Sequence, residues 1–159
     1  MLKNEHGITL TILVVTIIVI LILASVGIYN SEYLVRDTKA KSIISNMYLV
    51  KGKVETIYEE YQFSANAELL IGTQVAQGEI SLFPSKYGAV LDNNTKDFWY
   101  TWNKENLETV GLSPEMLSND EVKYIVNYAT GEVIYTKGIK NKYGVKQYLL
   151  SEIVKKGTE

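Results

Sequence analysis

Hydrophobic and polar positions fall into three regimes along the chain. From Ile8 to Ile28 no charged residue occurs, and fifteen of these twenty-one residues are Ile, Leu or Val. A helix over this run is about 31 Å long, matching the hydrocarbon core of a bilayer. On an insertion scale its aliphatic residues contribute roughly −5 to −9 kcal/mol before the Thr, Ser and Gly penalties. The run therefore predicts a membrane-inserted helix. It is too long for the apolar stretch of a removable secretory signal, which is about 7–15 residues.

Past the apolar run the pattern changes period without losing helical character. Ala40, Ile43, Met47, Val50, Val54, Ile57 and Tyr61 recur at spacings of three and four, and Ile44, Tyr48 and Tyr58 widen the stripe. That spacing puts one apolar face on an amphipathic helix, which covers a domain core or forms a coiled-coil seam. No Pro interrupts residues 8–61, so a near-continuous helix of roughly 80 Å is expected. Gly27 and Gly52 are its weak points, at about 1 kcal/mol each relative to Ala.

After Tyr61 the long period gives way to turn residues: Gly72, Gly78, Pro84, Gly88 and the cluster Asp92-Asn93-Asn94-Thr95. Short helices are expected over Ala65–Gln77 and over Asn103–Val110, the second ending at Gly111 before Ser113-Pro114. Val122–Tyr128 alternates with period two, Thr130-Gly131 suits a tight turn, and Glu132–Thr136 returns antiparallel. Lys137–Gly144 reads as a connection to a third strand, Val145–Leu150. So few strands are marginal alone and need the amphipathic helix on their apolar face. The predicted class is α+β: a long N-terminal helix, membrane-spanning in its first half and amphipathic in its second, packed on a small C-terminal antiparallel β-sheet.

Length and charge narrow the picture. The 159 residues leave room for one membrane segment and one domain of about 100 residues. A net charge of −2 argues against a generally nucleic-acid-binding protein. Cysteine is absent, which excludes disulfides, thiol catalysis and Cys-ligated zinc. Basic residues flank the apolar run on both sides, Lys3 before it and Arg36, Lys39 and Lys41 after it, so charge alone does not set orientation.

The leader Met1-Leu2-Lys3-Asn4-Glu5-His6-Gly7, followed by Ile8-Thr9-Leu10 and the aliphatic tract, resembles the processing site of type IV prepilins and pseudopilins. The resemblance implies cleavage between Gly7 and Ile8 by a prepilin peptidase, with the greasy helix retained. It implies assembly through Thr9, Leu10, Ile12, Leu13, Val14, Val15, Ile17, Ile18 and Ile22, and N-methylation of the new terminus. Where most of the family has a Glu, this chain has Ile12, which points to a minor or atypical subunit. The resemblance also divides the chain into a leader (1–7), a membrane and assembly segment (8–28), an amphipathic continuation (29–61) and a globular α+β head (62–159). Implied partners are the membrane, the peptidase, other pilin-like subunits and an inner-membrane assembly platform with its ATPase. The implied location is a single-pass precursor in the cytoplasmic membrane, then an extracytoplasmic filament or the cell surface, serving as a pilus, secretion pseudopilus or competence filament. The other reading is a monomeric signal-anchored membrane protein whose extracytoplasmic domain binds a ligand.

Signatures of catalysis are missing, and no cofactor or metal is expected. The only His is His6, in the leader, and no Gly-x-Ser-x-Gly, His-Glu-x-x-His or phosphate-binding Gly-rich motif occurs. Asp92-Asn93-Asn94-Thr95-Lys96-Asp97 superficially resembles a calcium loop, but Lys96 occupies a ligand place and no carboxylate stands where the distal acid belongs. The aromatic run Phe98-Trp99-Tyr100-Thr101-Trp102 suits core packing or a subunit interface better than stacking on sugars or bases. Residues 92–132 hold eight acids and three lysines, whereas 137–156 hold six lysines against Glu152. These patches read as ordinary solvated surface, as contacts between subunits, or as a basic stripe for DNA.

Overall fold

The computed structural model describes residues 5–157 except 142, with side chains over 12–22 and 37–155. Helix α1 runs over Glu5–Ser64, three residues past the predicted end. The chain divides into two compact units, 1–39 and 40–159.

In the first unit, every aliphatic side chain from Ile12 to Ile22 is exposed, from 47% at Val19 to 63% at Leu21. Among the described residues no helix is long and apolar enough to cross a membrane. Of the predicted membrane run 8–28, residues 8–11 and 23–28 lie outside those with described side chains.

In the second unit, the amphipathic stripe meets the prediction almost residue for residue. Met47, Val50 and Val54 are fully buried, and Ala40, Ile43, Ile44, Ile57, Tyr58 and Tyr61 pack against the same core. The stripe is thus consumed by the chain's own sheet, which answers the coiled-coil alternative for these residues. Tyr48 departs from the expectation: it is half-exposed, on the outer side.

The sheet is larger than expected and is not confined to the C-terminal part. Its strands are β1 (Thr73–Gln74), β2 (Trp99–Trp102), β3 (Tyr124–Asn127), β4 (Val133–Lys140) and β5 (Lys146–Leu149), antiparallel and in chain order. Short helices α2 (Gln77–Ile80) and α3 (Phe83–Tyr87) lie between β1 and β2, α4 (Lys104–Thr109) follows β2, and α5 (Leu150–Gly157) closes the chain.

Both faces of the sheet are covered, so β3, expected from a period-two alternation over Val122–Tyr128 to have one buried face, is buried at all four of its positions. On the α1 face, Trp102, Tyr124, Val126, Tyr128, Val133 and Tyr135 are buried. On the opposite face, Trp99, Ile125, Ile134 and Leu149 pack under Ile80, Phe83 and Tyr87. The Phe83 and Trp99 rings meet edge to face at 5.3 Å. The aromatic run is therefore core: β2 sends Trp99 to one layer and Trp102 to the other.

The helix expected over Asn103–Val110 forms as α4 with Asn103 outside it as its cap, and it stops at Gly111 as expected. Asn103 and Asn106 exchange side-chain-to-backbone hydrogen bonds at 3.0 Å, a reciprocal capping box, and Gly111 leaves the helix at φ +75°.

The predicted helix Ala65–Gln77 does not form. A single 3-10 turn, Ala67–Leu69, precedes the edge strand β1, because tertiary contacts claim the segment. The Ile71 carbonyl accepts two buried donors, Trp102 Nε1 at 2.8 Å and Tyr128 Oη at 2.9 Å. Gly72 then crosses the sheet at φ +103°, where a Cβ would lie 2.7 Å from the Thr101 carbonyl and from Trp102 Cδ1. Strand β4 likewise overruns its predicted end, because a register shift between Ile134 and Ile139 lets it continue past Gly138 to Lys140.

Candidate functional site: an apolar helical surface and a polar groove

The sequence resemblance puts both processing and assembly on the N-terminal helix. Gly7, Ile8, Thr9 and Leu10 lie within α1, but their side chains are outside the described residues. Ile12, Leu13, Val14, Val15, Ile17, Ile18 and Ile22 are all described, and all are exposed. Successive helical residues point about 100° apart, so the exposed aliphatics cover every side of the helix, with no polar face. The one hydroxyl in this stretch is internally satisfied: Thr16 Oγ1 donates to the Ile12 carbonyl at 2.7 Å. A Thr bonded in this way can enter an apolar environment without leaving an orphaned donor.

A second feature, unforeseen from the sequence, is a groove of about 790 Å³ on the sheet face opposite α1. Thr101, Ile125 and Thr136 contribute to its lining, together with Lys86 and Tyr87 from the α3 side and Lys123 from the β3 side. The contributing residues come from segments scattered along the chain, so no local motif marks the groove. Lys86 lies 5.1 Å from the centre of the Tyr87 ring, and its ammonium is held above its ordinary pKa, chiefly by a hydrogen bond with Tyr87.

The remaining titratable groups with displaced pKa values have structural causes. Burial pushes Tyr124, Tyr128, Tyr135 and Tyr100 above the usual phenol range. The Lys104 ammonium, 2.9 Å from Asp120, holds that carboxyl below its usual value. Asp92 caps its own turn by accepting from the Asn94 N–H at 2.9 Å, and Asp97 accepts from the Gln77 amide. Among the described residues no group of three His, Cys, Asp or Glu side chains could hold a metal ion.

No family model, no curated protein and no solved structure matches this chain.

Proposed function

We propose that the chain is a structural subunit of a type IV pilus-like or pseudopilus filament, cleaved after Gly7 and polymerised through its apolar N-terminal helix. The observation that carries this reading is the all-round aliphatic surface of 12–22, within an uncharged run that begins directly after Gly7.

Ten aliphatic side chains there stand about half-exposed. Burying the remainder is worth roughly 8–15 kcal/mol, at about 1.5–3 kcal/mol per fully buried side chain. That is as large as the whole stability of a typical domain, so this surface calls for lipid or for helices of its own kind. Moving aliphatic groups from lipid into a helix bundle is nearly neutral, and packing has to favour the bundle. A membrane-embedded platform and its ATPase would supply the remaining work. With Ile12 in place of the family's usual Glu, no carboxylate stands there to pair with the new amine at Ile8, which suits an atypical subunit that polymerises without that pairing.

Sequencing the N-terminus of native protein tests the reading. A start at Ile8, with the protein sedimenting in filaments, is the expected result. A start at Met1, with no association with any polymer, refutes it. That outcome would favour a signal-anchored protein that binds a ligand, a reading supported by the groove, whose volume falls within the range of small-molecule sites.

A further inference from the structure

Two segments of the head carry opposite and equal charge. Residues 104–121 hold Glu105, Glu108, Glu115, Asp120 and Glu121 against Lys104 alone, a net of −4 (one minus five). Lys104 is already engaged with Asp120. Glu105 and Glu108 stand three apart on α4, Glu115 sits on the 3-10 turn Pro114–Met116, and all three are exposed. Together they form an acidic ridge.

Residues 137–146 hold four lysines and no acid, a net of +4. In the β4–β5 hairpin Lys140 and Lys146 are directly opposite each other, and both are exposed. Like charges so placed repel and destabilise a sheet. Val145 and Tyr143, at 57% and 77% exposure, add apolar surface to the same tip. Among the described residues no ion pair joins Lys140 or Lys146 to the acidic ridge. A second molecule that brought carboxylates to this tip would relieve the repulsion between the lysines.

We propose that the basic β4–β5 tip of one copy seats against the α4 acidic ridge of the next copy. The contact is heterologous, with different surfaces on its two sides, so it propagates from subunit to subunit instead of closing a dimer. Its charges fix register and choice of neighbour more than they add affinity. The inference rests on the filament reading, for which it names the head-to-head contact.

The test uses full-length protein in membranes from cells making a mixture of ¹⁴N- and ¹⁵N-labelled chains, treated with a zero-length carbodiimide that joins lysines to carboxylates. Mass spectrometry should find mixed-isotope links from Lys140 or Lys146 to Glu105 or Glu108. Their yield should fall on the order of tenfold at 1 M salt, where screening contracts to about 3 Å. K140E/K146E should abolish them, and adding E105K/E108K to that variant should restore links of reversed polarity. Links confined to one isotope, or none, overturn the proposal. So does protection of the two lysines from acetylation only when anionic vesicles or DNA are added. If mixed-isotope links form while the chain still begins at Met1, the contact stands and the filament reading fails.

Discussion

Gln147 is the least comfortable residue of the head. It is 95% buried, its side-chain nitrogen has no hydrogen-bond partner, and it faces Ile139 across the β4–β5 ladder. Ile139 belongs to the main core, so the amide sits in apolar surroundings. A buried donor left unpaired costs about 1–3 kcal/mol. Gln147→Met keeps the unbranched shape, and removing the polar group should recover about 1.5 kcal/mol, in the lower half of that range. With a urea dependence near 1–3 kcal/mol/M, the unfolding midpoint should rise by roughly 0.5–1.5 M. Both tryptophans, Trp99 and Trp102, are buried, so their fluorescence reports the transition directly in detergent-solubilised full-length protein. A midpoint that falls by a comparable amount would refute the reasoning, because it would mean that the amide nitrogen is satisfied and that the methionine has removed a real bond.

Gly72→Ala should destabilise the head by more than about 2 kcal/mol, since its Cβ meets backbone and indole at 2.7 Å in a left-handed conformation; thermal melts will show it. Ala65→Gly should stabilise by up to about 1 kcal/mol, because Ala65 ends α1 at φ +51° with its N–H bonded to the Tyr61 carbonyl. Stability should decline as pH rises beyond about 10, the ordinary tyrosine value. Above it the unfolded chain loses phenolic protons that the buried Tyr124 and Tyr128 still retain, their pKa values being raised in the fold. Tyr128→Phe should flatten that decline while costing about 1 kcal/mol at neutral pH for the lost bond to Ile71. Trp99→Ala should cost about 3–5 kcal/mol by opening the layer beneath Phe83, measured by urea unfolding followed by circular dichroism.

What could be read in advance depended on how local its cause was. The α1 stripe, the Asn103 cap with its Gly111 stop, and the β3–β4 hairpin are each encoded within a few residues. The turn forms around Thr130-Gly131 but is wider than expected, since β3 ends at Asn127 and β4 begins at Val133: the Gly131 N–H donates to the Asn127 carbonyl, and the buried Asn127 side chain accepts the Thr130 N–H and donates to the Thr95 carbonyl. Strand β2 was hidden because it is only four residues long and sends its two tryptophans to opposite layers, which leaves no period-two signal. The segment after α1 was misread as helical because its conformation is set by Trp102 and Tyr128, distant in sequence. Helix α5 was missed too: only Leu150 and Ile153 mark its buried side. The groove has no sequence signature at all, since the sheet and its flanking segments assemble it.

The shared Ile71 carbonyl has a mechanical meaning. Between α1 and the first strand the chain is anchored at one oxygen held by two rings, and the cysteine-free head has no covalent staple. Tension drawn along α1 would reach the sheet through its buried stripe and through this anchor. The two donors share the load on one acceptor, so they should let go in a single event, giving the head an abrupt yield point instead of gradual fraying.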